Sequence, residues 1–549
     1  MRDRIALASV VSGLVIAAAI PFAGCDKQWD GTGPATPNQS QDSGGGGNGD
    51  QGDAGEGDAG VDGGGIDMLA DGQVPPQGTQ LAQGASLAVE GVTSDGYAIY
   101  SDSSKMTLSA APLDGGAPVS IGPTDTAGAN VQVIGPVVFN WTAVNQNTGS
   151  ATLTIWTSSG SAQKVATASQ APSGFEAAAV SADGTTVAFL TNLSVDGNTA
   201  DLAVASVSSA TATTVASGIN IGDMACFPVF AFAGSSLVAA YPTPAGDAGT
   251  GAVDAGPVDA GSVDASAPAV AYVGTVTAFS GATWTPTTLA TEAVCNVGVD
   301  PTGAQVLVST KAGLRTQTLA TPSVPTVLDA KGVWGQFAQG SGADAGLDVV
   351  YTDDATALKR VAASGKGTPL VLVTSGLRNV AALSPDNAWA LATNLVEVGT
   401  AQTTTDLYLA SATTGGTTAT ALATTASVIQ MGDWFTADST QVLYGVASSG
   451  GVNALYSAAT SGGKPVQLSS DSGFAYATTK GTIIFNNNDS DNGYDLLELD
   501  TSSATNTPTL LVSLADEAFF LSAGRDQIVY TWSTLAGSSL DGLYAMPVP

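Results

Sequence analysis

None of the 549 residues is a histidine. That absence removes Ser-His-Asp and Cys-His catalysis, imidazole-ligated metals and imidazole proton shuttles from this chain's own side chains. Positive charge is also scarce: 15 Lys and Arg stand against 47 Asp and Glu, for a formal charge of −32. Nucleic acid and anionic headgroups both require a Lys/Arg footprint, so neither is expected as a partner. Charged partners would be cations or basic surfaces, and a charge of this size also keeps a surface soluble. No Gly-x-Ser-x-Gly elbow is present, and no Gly-x-x-x-x-Gly-Lys-Ser/Thr frame surrounds Gly365-Lys366-Gly367 or Gly463-Lys464, which read as hairpin turns. Together these absences lead to the expectation that the chain is not an enzyme and holds no cofactor.

Cysteine is nearly missing too, with Cys25, Cys226 and Cys295 alone. The first has a specific context. Arg2 and Arg4 precede an apolar run from Ile5 to Ile20 that stops at Phe22-Ala23-Gly24-Cys25. The run is shorter than the about 20 apolar residues a spanning helix needs. It resembles a bacterial lipoprotein signal, in which the thiol after two small residues is lipidated and becomes the mature N-terminus. The resemblance implies a signal peptide over residues 1–24, lipidation at Cys25 and an extracytoplasmic envelope location at the outer or inner membrane, with contact to the membrane through that lipid alone. Residues 25–75 are Gly, Asp, Gln, Ser and Pro with a single Lys27. Such a composition cannot bury enough apolar area to offset its ordering entropy, and it reads as a disordered tether spanning on the order of 40 Å. A second low-complexity stretch, 245–266, repeats Val-Asp-Ala-Gly and reads as a loop inserted in the folded region.

What fills the rest is a repeat. Its fullest copies are Val180-Ser-Ala-Asp-Gly-Thr-Thr-Val-Ala-Phe-Leu190, Leu383-Ser-Pro-Asp-Asn-Ala-Trp-Ala-Leu-Ala-Thr393 and Phe435-Thr-Ala-Asp-Ser-Thr-Gln-Val-Leu-Tyr-Gly445. Looser versions of the same strand recur from Tyr97-Ala-Ile-Tyr100 to Gln527-Ile-Val-Tyr530. Short apolar runs bounded by turns are strands covered on both faces. Each is followed by another strand, such as Asp406-Leu-Tyr-Leu-Ala410, a Gly turn such as Ser461-Gly-Gly-Lys-Pro465, and an outer strand such as Pro465-Val-Gln-Leu-Ser469. A period of about 40–50 residues made of short strands predicts an all-β chain, a β-propeller of four-stranded blades over residues 76–549. The last copy ends one strand short, whereas Pro76-Gln-Gly-Thr-Gln-Leu-Ala82 has an outer strand's character and no blade of its own. Pairing Thr79–Ala82 beside Leu543–Met546 would remove an open edge. The expectation is therefore up to ten repeats in one ring closed by an N-terminal strand.

Ser181-Ala-Asp-Gly184 followed by Val187-Ala-Phe189, and Ser384-Pro-Asp386 followed by Ala390-Leu-Ala392, resemble the TolB-type, WD40-like (PD40) propeller repeat. The Asp-Ala-Gly tracts resemble those of predicted myxobacterial lipoproteins in composition. The turn Asp caps its own hairpin backbone in this reading, which is structural work.

Few residues carry ligand chemistry. In Asn486-Asn-Asn-Asp489-Ser-Asp491-Asn-Gly493-Tyr-Asp495, side-chain oxygens alternate around a Gly, and Asp489, Asp491 and Asp495 are candidate Ca2+ ligands. The spacing fails the EF-hand frame, and a polar hairpin turn accounts for the same residues. Cys226 and Cys295 hold equivalent offsets from the following strands, at Val238 and Val306, which puts them on neighbouring inner strands and suggests a disulfide in an oxidising compartment, two separately buried thiols being the alternative. Trp334, Trp389, Trp434 and Trp532 would line a recognition face or pack in blade cores. The functional expectation is a binding or scaffolding module for a protein or glycan at the envelope. The alternatives are a carbohydrate-active enzyme with paired carboxylates on the channel face and a purely structural surface component.

Overall fold

The computed structural model describes residues 74–549 apart from 126–129, 146, 172–177, 222–227, 243–272, 295, 340–345, 399–401, 417, 425–426, 448–452, 491–492, 502–506 and 534–537. Strands and turns account for all its regular structure, with no helix among the described residues.

The strongest strands follow from the sequence pattern directly. Thr186–Thr191, Gln305–Thr310, Leu347–Asp353 and Gln527–Trp532 run five consecutive buried residues each. These Val, Ile, Leu, Phe and Tyr side chains fit a pleated surface covered on both sides. Thr186–Thr191 and Gln527–Trp532 are each entered through a turn that the preceding hydroxyl organises. Ser181 Oγ accepts from the Thr186 amide at 2.9 Å and donates to Asp183 Oδ1 at 2.6 Å, while Asp183 accepts from the Thr185 amide at 3.1 Å. The same relay recurs with Ser384, Asp386 and Trp389, with Thr436, Asp438, Thr440 and Gln441, and with Ser522, Asp526 and Gln527. Asp300 takes the hydroxyl's place in its own copy, accepting from Ala304 and Gln305.

Four consecutive antiparallel strands form each repeat unit. Four sheets contain one unit each, spanning Leu87–Pro123, Asn130–Gln170, Ala178–Asn220 and Gly332–Val373. Two eight-stranded sheets fuse two units apiece. One is joined through Ala293 paired with Thr310, the other through a parallel pairing of Thr405 with Ser427. The seventh sheet shares the 13-residue strand Thr509–Leu521 between two units. Pro242 pairs with Gly274, so residues 243–272, which contain the low-complexity insertion, connect the second and third strands of one unit.

Apolar clusters lie between successive units. Ala179, Leu202 and Ile219 meet Phe230, Leu237 and Phe279 of the next unit, and Leu307 and Leu314 meet Phe337, Val349 and Tyr351. One such cluster joins the two ends of the described chain: Leu81, Leu87, Val89, Ala98 and Tyr100 pack with Phe520, Val529, Leu543 and Ala545. Alongside it, strand Thr79–Gln83 pairs antiparallel with Gly542–Pro547, in the register Thr79 to Ala545, Gln80 to Tyr544 and Ala82 to Leu543, with a bulge at Leu81. The approach is close enough that a Cβ on Gly78, whose φ is +89°, would stand 2.2 Å from the Ala545 carbonyl oxygen. Residues ahead of the strand are held as well. Val74 and Ser513 exchange two hydrogen bonds, and the Tyr530 hydroxyl accepts from the Gln77 amide and donates to its carbonyl, both at 2.8 Å.

Candidate functional site

The most elaborated polar site is built around an irregular inner strand. Ile429 pairs with Gly445, but the next bridge is Phe435 to Val442, so residues 430–434 oppose only Leu443 and Tyr444. This bulge leaves the ladder and turns to the neighbouring unit. The Met431 carbonyl accepts from the Ala475 amide at 2.6 Å, and Gly432 bridges Ala475 in parallel. Only glycine fits there, since a Cβ would lie 2.1 Å from the Ala475 carbonyl oxygen. Bulges of this kind re-aim side chains, and here the re-aimed group is Asp433.

Asp433 Oδ2 accepts from the Ala477 amide at 2.8 Å and from Arg525 Nη1, and Oδ1 accepts from Arg525 Nη2 at 2.9 Å. Arg525 Nη1 also donates to the Ala477 carbonyl at 2.6 Å. A two-pronged guanidinium–carboxylate pair is the strong, directional form of this interaction. The Asp433 contact raises the Arg525 pKa further above its already high range. Arg525 itself sits at φ 53°, closing the turn after Ser522. Beside the pair, Tyr476 is 3% exposed and its hydroxyl has no hydrogen-bond partner among the described residues. Burial first, and the Asp433 charge second, push its phenol above the ordinary range, against a smaller opposing effect of Arg525. Its ring stacks on Phe474 and meets Phe519 edge-on, with centroids 6.3 and 5.2 Å away. The junction thus joins three successive units by an ion pair and an aromatic cluster. Asp433 and Arg525 satisfy each other, so the arrangement ties strands together and presents no free carboxylate for acid–base chemistry.

The other buried cations do comparable work. Arg360 donates from Nε to Asp348 Oδ2 at 2.8 Å within its unit, and from its two terminal nitrogens to the Ala412 and Gln339 carbonyls at 2.8 and 2.6 Å. Adjacent Lys359 points to the opposite side, with Nζ 2.9 Å from Asp329 and 2.7 Å from Asp353. Asp329 also accepts from the Tyr351 hydroxyl at 2.9 Å. Burial opposes ionisation of Asp329, but the hydrogen bonds from Lys359, the Lys331 amide and Tyr351 outweigh it and hold the carboxyl below its usual range. Asp329 and Asp353 are two acids sharing one partner, and the lysine between them makes them an inter-unit clamp rather than a glycosidase pair. No sequence pattern signals these ties, because each depends on which unit lies beside which.

The expected site residues are placed as follows. Cys25, Cys226, Cys295 and Asp491 lie outside the described residues. Asp489 falls in strand Thr482–Ser490 and Asp495 in strand Gly493–Asp500, where it pairs with Asn487 across a hairpin. Among the described residues no group of three His, Cys, Asp or Glu side chains is arranged to hold a metal. Trp532 is fully buried and donates to the Ser513 carbonyl at 2.7 Å, while Trp389 and Trp434 are partly buried against the core. Lys366 and Lys464 do sit on turns between third and fourth strands.

No protein-family model matches the chain, and no curated protein matches it. Among solved structures it is similar to a prolyl endopeptidase, at 14% identity over 67% of this chain and 53% of that one, with a TM-score of 0.35. It is similar to a eukaryotic initiation factor at 14% identity over 71% of this chain and 89% of that one, with a TM-score of 0.41. It is also similar to the β-propeller domain of the trilobed protease from Pyrococcus furiosus, at 10% identity over 76% and 95%, with a TM-score of 0.30. The repeated four-stranded units are those of a β-propeller. The chain spans 53% of the prolyl endopeptidase's length. Two of these three structures are proteases or protease domains, and the expectation that the chain is not an enzyme is corrected on that finding. The physical reason is that a missing histidine restricts this chain's own side chains, whereas proteases carry propellers of their own. At these identities and TM-scores the similarities bring no activity or substrate to this chain.

Proposed function

We propose that the chain is a lipid-anchored, extracytoplasmic β-propeller of the TolB-like, PD40 repeat kind, serving as a binding or scaffolding module for a protein or glycan at the cell envelope. A count of ten blades, the last completed by Thr79–Gln83, is the proposal that the order of strands in the sheets supports. The observation that carries this reading is the apolar cluster shared by Leu87, Val89 and Tyr100 with Phe520, Val529 and Leu543. First and last units packed on each other support one continuous ring, and a ring of blades offers two rigid faces of turns on which a partner can be held. The anchor rests on Arg2, Arg4, the apolar run and Ala23-Gly24-Cys25.

Cys25→Ala, with the signal otherwise intact, should move the protein from the membrane to the soluble extracytoplasmic fraction. Unchanged membrane retention would refute the anchor. For the binding role, a photo-crosslinking residue at exposed turn positions on opposite ends of a unit, such as Asp183 between its first and second strands and Asp196 between its second and third, should give discrete adducts in intact cells. Absence of adducts from both faces would refute it.

A further inference from the structure

Between the unit Ser427–Ser469 and strand Gly493–Asp500 of the next lies a cleft of about 110 Å3. Its floor is core: Leu499 and Leu468 belong to the apolar cluster between the two units, and Val466 continues that wall. Its polar lining includes Gln441, Ser457 and Lys464. Lys464 is the one charged residue lining it, and among the described residues Lys464 enters no salt bridge. Lys105, Lys359, Arg360 and Arg525 are each paired with aspartate, whereas Lys464 stands exposed on its turn.

We propose that this cleft binds a small aliphatic carboxylate, its anionic end on Lys464 and its tail on Leu468 and Leu499. Size limits the ligand. An apolar cavity of about 150 Å3 accommodates a benzene ring, so the smaller space here suits a tail of about two to three carbons. Charge selects the sign, since a cationic analogue would meet Lys464 without compensation. The site is independent of where the protein is anchored and of what its faces bind.

The test is ligand-observed NMR on the mature chain with acetate, propionate, butyrate and octanoate, and with butylamine as the cationic control. Binding should be saturable in the millimolar range, tighten about fourfold per added methylene up to butyrate, and weaken for octanoate and butylamine. Lys464→Met, a change at an exposed turn that leaves the fold intact, should weaken butyrate about threefold to fivefold, and Lys464→Arg should restore it to within about 1.5-fold. N-acetylalanine run beside butyrate separates a peptide carboxyl terminus from a free acid, the tighter of the two naming the source. No saturable binding, equal binding by Lys464→Met, or indifference to chain length would each overturn the proposal.

Discussion

Single residues in this protein are spent on holding turns and joining neighbouring units. The turn aspartates show it in their titration. Hydrogen bonds from the Ser181 and Ser194 hydroxyls hold the Asp183 and Asp196 carboxyls below the usual range, Asp196 down to about 2. At Asp386 and Asp438 burial works the other way, but the bonds from Ser384 and Thr436 and from nearby amides prevail. A carboxyl whose folded pKa is depressed contributes stability above its unfolded pKa and loses it as pH falls through the folded value. Burial raises the Tyr351, Tyr476 and Tyr530 phenols, and such groups contribute below their unfolded pKa and lose it as pH rises beyond. With no histidine, thermal melts should be flat between about pH 5 and 8, fall below about pH 4 and fall again above about pH 10. A transition centred near neutrality would contradict this. The buried cations allow a sharper test. Arg360 is 5% exposed in its side chain, and Arg360→Met removes its bonds to the half-buried Asp348 and to the Ala412 and Gln339 carbonyls, so urea unfolding should show a loss of about 2–3 kcal/mol. Lys105, 69% exposed beside Asp102, should cost under about 1 kcal/mol when changed to Met. Equal effects would mean that Arg360 is not the tie described here.

At the scale of strands, the central ones were legible in the sequence because burial on both faces leaves an unbroken apolar run. Val187-Ala-Phe189 and Val442-Leu-Tyr444 stand where that pattern puts them. The pairing of Thr79–Gln83 with Gly542–Pro547 was legible as a missing strand at one end and a spare one at the other. Irregular inner strands were not. The two-residue strand Gly298–Val299 and the bulge at 430–434 carry no apolar periodicity, and Asp433 reads as an ordinary loop acid until Ala477 and Arg525 are brought beside it. A second hydroxyl–aspartate turn, Ser194 with Asp196 and Thr199, was missed because it joins the second and third strands of its unit rather than the first and second. The closing strand makes its own prediction. Gly78→Val places a branched side chain against the Ala545 carbonyl in a backbone region valine avoids, so amide exchange should accelerate at Leu543 to Ala545 with strands such as Thr186–Thr191 unchanged. Unaltered exchange at Leu543 would mean that this strand is not what protects it.

At the scale of the whole molecule, the first and last units of residues 74–549 are neighbours, and the proposed anchor adds a tether from a lipidated Cys25 ahead of them. Two deletions separate tether from fold. Removing residues 28–70 should leave the melting temperature unchanged, since that stretch lies ahead of every bond made by Val74, Gln77 and the closing strand. Removing 76–84 exposes the Gly542–Pro547 edge and uncovers Leu87 and Leu543, and should lower the melting temperature of the entire domain in a single transition. The central claim is the single ring of ten blades closed by that strand, and an experimental structure of the mature chain by crystallography or cryo-electron microscopy tests it most directly. The account predicts ten four-stranded blades around one axis, with Thr79–Gln83 as the outer strand of the blade that ends at Pro547. Two separate rings, or Thr79–Gln83 away from Gly542–Pro547, would contradict it.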